Sequence, residues 1–389
     1  MAEPFKNLIG SAVVQAVSHH LRRVDRGFDT KRFEALALNG LEALEFKARA
    51  QHLAQALLAT LPEDFDACAT WLERSLKTVP PPRRDHDPDK ELGSLSSDDS
   101  GVAGWALWAY GEVVTQRGLH QPERALQALH AITQRFTAEF AIRPFFVAHP
   151  EVVLRTLHAW QHDPSAHVRR LVSEGSRPRL PWGLRLQSLV ADPSPTLPLL
   201  QSLQHDPSEY VRRSVANHLN DIGKDHPAVL VDWVEAHRPG ASVDHVRLLR
   251  HASRHLIKQG HAPMLQAWGV GQPFEGDVTL TLSSPRVRVG EAVELGVTLR
   301  SRCAQAQELE VDVRVHFRKA DGQVRPKAFK GRRLKLGPGE QVSWVHKLSF
   351  KPVSTRALHP GEQGVDVQVN GTPAGWLVLE LHPGGESGG

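Results

Sequence analysis

Eight residues of a ten-residue pattern recur in this chain. The pattern Gln-His-Asp-Pro-Ser-x-x-Val-Arg-Arg spans Gln161–Arg170 and returns at Gln204–Arg213, a period of 43 residues. A period of about forty residues is that of HEAT-type helical repeats, in which each pair of antiparallel helices buries its apolar faces by stacking on neighbours. The Asp-Pro step reads as a helix start: Asp163 and Asp206 cap, while Pro164 and Pro207 take a first-turn position where no backbone N–H is missed. The Val-Arg-Arg that follows sets two cations beside an apolar anchor. Arginine pairs repeated along one edge of a solenoid make a basic surface, and the ligand that suits it is a polyanion.

From about residue 8 to 270 the apolar spacing is helical; Leu53 and Leu57, and Phe65, Cys68, Trp71, Leu72 and Leu76, fall at threes and fours. A Pro-, Asp- and Ser-rich break at 79–100 reads as a surface loop between helical pairs. Further helices are expected at Val102–Arg117, Pro122–Phe136, Pro150–Trp160 and Val243–Gln259. The period then changes from 3.6 to 2. Leu309, Val311, Val313, Val315 and Phe317 alternate with polar residues, Val342, Trp344, Leu348 and Phe350 repeat the pattern, and Val365, Val367 and Val369 precede the turn pair Asn370-Gly371. The expected fold class is mainly α: a HEAT-like helical-repeat solenoid over 1–270, an all-β immunoglobulin-like sandwich over 276–381, and a disordered tail over 382–389.

Composition excludes several classes. With 40% apolar and 23% charged residues the chain is of ordinary globular make-up, and its net charge of +4 leaves the local distribution of cations to decide what it binds. Cys68 and Cys303 form neither a disulfide framework nor a metal quartet. No apolar run approaches the roughly 18 residues of a membrane span, and the N-terminus lacks a signal-peptide core, so a cytoplasmic monomer is expected. His251 and His255 are four apart on an expected helix, but Arg254 crowds that face and the glutamate of a zinc-binding HExxH motif is missing, so no metal is expected. No P-loop, G-x-S-x-G or G-x-G-x-x-G appears, and no cofactor is expected.

Candidate chemistry concentrates between Thr137 and Asp225. Arg170 and Glu174 share a helical face, either as an exposed i,i+4 ion pair worth a few tenths of a kcal/mol or as part of a site. Ser173-Glu174-Gly175-Ser176 ends a helix, which puts the carboxylate at an edge. Arg177-Pro178-Arg179-Leu180-Pro181-Trp182 then presents two cations and an indole on a Pro-stiffened segment. The second repeat has Asn217 where the first has Glu174, followed by Asn220-Asp221. Copies that agree in scaffold positions and diverge at one polar edge mark that edge as the place to look.

The runs AEFAIRPF (138–145), HVRRLVSEGSRPRLPW (167–182) and EYVRRSVANHLNDI (209–222) resemble the DNA alkylation repair glycosylases built from HEAT repeats, in their AlkC branch, over nearly the whole chain. The resemblance implies excision of bases methylated at N3, such as 3-methyladenine and 3-methylcytosine, from double-stranded DNA. It also implies that the duplex bends around the groove and the lesion is reached without full base flipping. By motif, Glu139, Arg170, Glu174, Trp182 and Asp221 are the implied active-site positions. The chemistry agrees: a methylated base is a cation on a weakened glycosidic bond, so the site needs a carboxylate for the oxocarbenium ion and one to hold the attacking water. Glu139 and Asp221 are the expected pair, with Trp182 packing on the cationic base or deoxyribose. Each has a plainer alternative: Glu139 a solvated acid, Asp221 a helix cap, Trp182 a core residue.

For phosphates the candidates are Arg143, Arg169, Arg170, Arg177, Arg179, Arg212 and Arg213, then Arg247, Arg250 and Arg254 at i, i+3 and i+7. In the sandwich Lys330, Arg332, Arg333 and Arg356 either clamp DNA from a loop or form a charged strand edge that prevents association. A noncatalytic scaffold binding DNA or protein is the competing function, and it has no use for acids in a cationic groove.

Overall fold

The computed structural model describes residues 5–78, 95–353 and 356–384. Most of the break read at 79–100, and residues 385–389 of the expected tail, lie outside the described residues. The chain divides into two compact units: Met1–His226 with Ala241–Ala252, and Pro227–Gly240 with Ser253–Gly389.

The first unit is helical. Its elements are α1 (Ser11–Val24), α2 (Thr30–Leu38), α3 (Phe46–Leu58), α4 (Phe65–Ser75), α5 (Ala106–Gly118), α6 (Pro122–Thr133), α7 (Ile142–Ala148), α8 (Pro150–Trp160), α9 (Ala166–Gly175), α10 (Gln187–Ala191), α11 (Leu197–Leu203) and α12 (Glu209–Asp225). Local chemistry sets the starts: Asp29 accepts from the Arg32 amide (3.0 Å) at α2, Asp64 from the Ala67 amide (2.9 Å) at α4, and prolines open α6 and α8. Each helix buries an apolar stripe, such as Val168, Leu171 and Val172 on α9 against Val211, Val215 and Leu219 on α12.

The repeat differs from its sequence reading in its caps and in Pro164 and Pro207, which precede the caps and lie outside the helices instead of in their first turns. The caps of α9 and α12 are Ser165 and Ser208, not Asp163 and Asp206. Each aspartate instead folds back two residues, accepting from the Ser165 amide (2.8 Å) or the Ser208 amide (2.9 Å). An aspartate next to proline is held extended, so it closes an Asx turn ahead of the helix rather than capping it.

In the second unit α13 (Pro227–His237) and α15 (Ala262–Ala267) are helical, and α14 (Val243–Lys258) contributes its second half. Eight strands follow: β1 (Gly276–Leu282), β2 (Arg286–Arg288), β3 (Ala292–Ser301), β4 (Gln307–Arg318), β5 (Val324–Leu336), β6 (Gln341–Ser349), β7 (Gly361–Val369) and β8 (Thr372–His382). They form sheets of order β1-β3-β6 and β2-β8-β7-β4-β5 around one core of alternating apolar residues, including Leu295, Val297, Val311, Val313, Val365 and Val367. All described pairs are antiparallel except β2 with β8. The Asn370-Gly371 turn joins β7 to β8 with φ of 48° and 83°, the positive values a tight hairpin needs. His382, expected in the tail, is the last residue of β8. The segment carrying Lys330, Arg332 and Arg333, read as either a clamping loop or a charged strand edge, lies on β5, the edge strand of the larger sheet.

Candidate active site

Three elements of the first unit bring the carboxylates together. Glu139 sits in the turn before α7, Glu174 in the last turn of α9, and Asp221 inside α12. All are buried, Asp221 completely. Asp221 is therefore no helix cap, and Glu139 no solvated acid. Arg170 and Glu174 are likewise not an exposed pair: their side chains keep 17% and 7% of their exposure.

Three cations hold them, and a fourth lies beside them. Arg170 Nη1 forms an ion pair with Glu139 Oε2 (2.7 Å) and donates to Thr137 Oγ1 (3.0 Å), whose hydroxyl in turn donates to Glu139 Oε2 (2.6 Å). Arg177 bridges the other two acids, donating from Nη1 to Glu174 Oε1 (2.6 Å) and from Nε to Asp221 Oδ2 (2.8 Å). Ser214 Oγ donates to Glu174 Oε2 (2.6 Å), and Lys224 Nζ to Asp221 Oδ1 (2.8 Å). Burial works against the charge of Glu174, but Arg170 and Arg177 outweigh it and hold its carboxyl below the usual range. Burial, followed by the field of Arg177, pushes His218 down to about 3; its Nδ1 lies 3.0 Å from the Ser173 carbonyl. The fourth cation, Arg143, reaches no carboxylate; it donates to the carbonyls of Gly175 (3.1 Å) and Leu184.

The three acids are not equivalent. Both oxygens of Glu174 and both of Asp221 accept hydrogen bonds. Among the described residues, Glu139 Oε1 accepts none. Glu139 is the carboxylate with an oxygen to offer. Beside it Phe140 stacks on Trp108 (centroids 5.1 Å apart), which belongs to an aromatic pile with Phe46, Trp105 and Phe136. Trp105 and Trp108 thus pack in the aromatic cluster that holds Phe140, the residue after Glu139.

Trp182 is no core residue. It is 78% exposed and has φ of +63°, in the left-handed region that bulky side chains avoid. A large aromatic held in the open on strained backbone is a feature that folding alone does not ask for.

The expected phosphate contacts divide. Arg143 is fully buried and Arg177 nearly so, the first donating to carbonyls and the second to carboxylates, and neither is exposed to meet a phosphate. Arg169 and Arg212 are structural. Arg169 binds the Asp163 and Pro164 carbonyls (2.8 and 3.0 Å) and the carboxylate of Asp206 one repeat on (2.6 Å). Arg212 makes the same contacts to Asp206 and Pro207 (2.7 and 2.9 Å) and reaches Asp244 (3.3 Å). One arginine of each pair is therefore a rung between units. The other faces the site (Arg170, over the Tyr210 ring at 5.1 Å) or solvent (Arg213). Arg179 is paired with Asp225 (2.6 Å), Arg247 is exposed beside Asp244 (3.2 Å), and Arg250 and Arg254 are half-buried. On the sandwich Lys330, Arg332 and Arg333 are exposed, whereas the Arg356 guanidinium packs over Phe317 at 4.2 Å and is drawn inward.

Sequence reading missed Thr137, Ser214, His218 and Lys224. Ser214, His218 and Asp221 lie at i, i+4 and i+7 on α12, a polar stripe on a helix whose other face is apolar, and that stripe was the available signal.

Comparison with known proteins finds relatives along the whole chain. The uncharacterized protein YhaZ of Bacillus subtilis (strain 168) is 33% identical over 373 residues, covering 94% of this chain and 96% of that protein. Residues 277–383 match the family described as the C-terminal Ig-like domain of uncharacterised protein YhaZ. The solved alkylpurine DNA glycosylase AlkC of Pseudomonas fluorescens, bound to DNA containing an abasic site analog, is 32% identical, with a TM-score of 0.85 over 98% of this chain and 100% of that one. The chain belongs to the AlkC family. The helical-repeat unit and the Ig-like sandwich are the two parts of the AlkC fold, and the buried acids lie in the first. No helix among the described residues is long and apolar enough to cross a membrane.

Proposed function

We propose that the protein is a monofunctional DNA glycosylase that hydrolyses the N-glycosidic bond of N3-methylated bases, 3-methyladenine and 3-methylcytosine, in double-stranded DNA. The observation that carries this reading is the arrangement around Glu139: a buried carboxylate with one free oxygen, among arginine-held acids and in the same unit as an exposed, strained tryptophan, in a chain that matches a DNA-bound alkylpurine glycosylase along its length. A scaffold protein has no use for such a group.

The methylated base already carries the positive charge that makes it a good leaving group. As the bond from C1′ to the base nitrogen breaks, its electron pair neutralises the base and positive charge moves to the sugar. Glu139 Oε1 faces that charge and orients the water whose oxygen bonds to C1′, taking up the proton released. Asp221, with both oxygens engaged, acts through its charge and by fixing Arg177 and Lys224. Trp182 packs its face on the cationic base, a contact worth ~1–2 kcal/mol. Exposed cations such as Arg213 and Arg247 meet the phosphates, and the lesion is reached without full base flipping.

The decisive assay incubates the protein with duplex DNA treated with a methylating agent and separates the released bases by mass. We expect free 3-methyladenine and 3-methylcytosine, with abasic sites left in unbroken strands because the lysine beside the carboxylates, Lys224, is held as a cation by Asp221 and is no free amine for a Schiff base at C1′. Strand breaks arising without heat or alkali would contradict the monofunctional assignment, and release of no base from any methylated duplex would end the enzyme reading.

A further inference from the structure

Arg143 is the cation of the site that reaches no carboxylate. It lies on α7, one turn after Glu139, and is fully buried. Its Nη1 donates to the carbonyl of Gly175, which directly follows Glu174, and its Nε to the carbonyl of Leu184, two residues beyond Trp182. A single planar fork therefore ties the Glu139 side of the site to the end of α9 and to the segment carrying Arg177 and Trp182.

The surroundings are built closely around this fork. A Cβ on Gly175 would stand 2.7 Å from Ile142 Cγ2, and one on Gly183 would stand 2.9 Å from Leu180 Cδ2 and 3.4 Å from Arg143 Cδ. Burial and then the neighbouring Arg177 push the Arg143 guanidinium down to about 10, against the pull of Glu139, Asp221 and Glu174. Its Nη2 is buried with no hydrogen-bond partner. Trp182, meanwhile, needs restraint to stay at φ +63°, and the other backbone ties of its turn are the Gly183 amide to the Leu180 carbonyl and the Leu186 amide to the Pro178 carbonyl, both 3.2 Å.

We propose that Arg143 is a positioning residue: by clasping the Gly175 and Leu184 carbonyls it sets where Trp182 stands relative to Glu139 and Glu174. It touches neither base nor phosphate. A lysine keeps the charge but offers one compact ammonium in place of a two-pronged fork, so it cannot hold both carbonyls in one geometry.

The functional consequence rests on the glycosylase reading, whereas the clasp itself does not, and the test separates them. The full-length protein is labelled with 5-fluorotryptophan and the Trp182 resonance, one of nine, is assigned with Trp182→Phe. In Arg143→Lys the Trp182 line is expected to shift and broaden while the lines of the distant tryptophans stay in place. Affinity for an unmodified duplex should change less than about threefold, and single-turnover excision should fall about tenfold to a hundredfold, the scale expected for a misplaced group. Arg143→Met, which removes the charge as well, should give the same spectral change; if it does not fold, the lysine variant carries the test alone. An unmoved Trp182 line in Arg143→Lys overturns the clasp. A moved line with unchanged excision overturns its role in positioning. If the wild-type protein excises nothing, the glycosylase reading fails and the spectrum alone decides the clasp.

Discussion

At the scale of the residue, the site turns on what each carboxylate has left to give. Glu139→Gln keeps the shape of the side chain and removes its charge, so DNA affinity should stay equal or tighten, while single-turnover excision falls by about 10²–10⁴-fold. Asp221→Asn is expected to behave differently. Asp221 is fully buried between Arg177 and Lys224, and removing one partner of a buried ion pair costs about 3–5 kcal/mol, so this variant should lose thermal stability together with activity. Melting curves beside excision rates distinguish the two: equal losses of stability in both variants would refute the division of labour. The sequence named Glu139, Glu174, Trp182 and Asp221 because motif and repeat divergence pointed at them. It did not reveal that Arg143 and Arg177 face inward, because an arginine near a helix terminus reads the same whether it holds a phosphate, a neighbour's carbonyl or a buried carboxylate.

At the scale of the element, the arginine pairs split by position. The first of each pair, Arg169 or Arg212, ties its own turn to the next unit, and the second points to the site or to solvent. Arg169→Met should therefore lower thermal stability, because the nearly buried carboxylate of Asp206 loses its partner, and should leave the salt dependence of DNA binding unchanged. Arg213→Ala and Arg247→Ala should weaken binding to methylated and unmodified DNA alike, each flattening the log–log salt slope by about 0.9 per lost phosphate contact. Salt titrations that flatten for Arg169→Met and not for the other two would reverse the assignment. The period of 43 residues and the alternation at Leu309–Phe317 were legible because hydrophobic spacing is read directly from the chain. The Asx turn and the edge position of β5 were not, since cap or turn, and loop or strand, depend on what lies alongside.

At the scale of the whole molecule, acid should loosen the helical unit through His218. Its folded-state pKa of about 3 lies below the ordinary value of 6.5, so the unfolded chain takes up a proton that the folded chain refuses. The stability this group contributes is complete above pH 6.5 and is lost as pH falls towards 3, by about 1.4 kcal/mol per pH unit. His218→Asn, which keeps a donor for the Ser173 carbonyl, should flatten the melting temperature between pH 6 and 4 relative to wild type; parallel profiles would exclude His218 as the source. The seam between the repeats has a consequence for how such a chain can arise. Each unit presents an aspartate where the preceding one arrives and an arginine where the following one departs, as Arg169 with Asp206 and Arg212 with Asp244 show. A tandem copy of one unit therefore docks on its original with no new pairing to be invented, and duplication alone lengthens the array. Once duplicated, the copies are free to diverge wherever the seam makes no demand, which is how one position can be Glu174 in the first and Asn217 in the second.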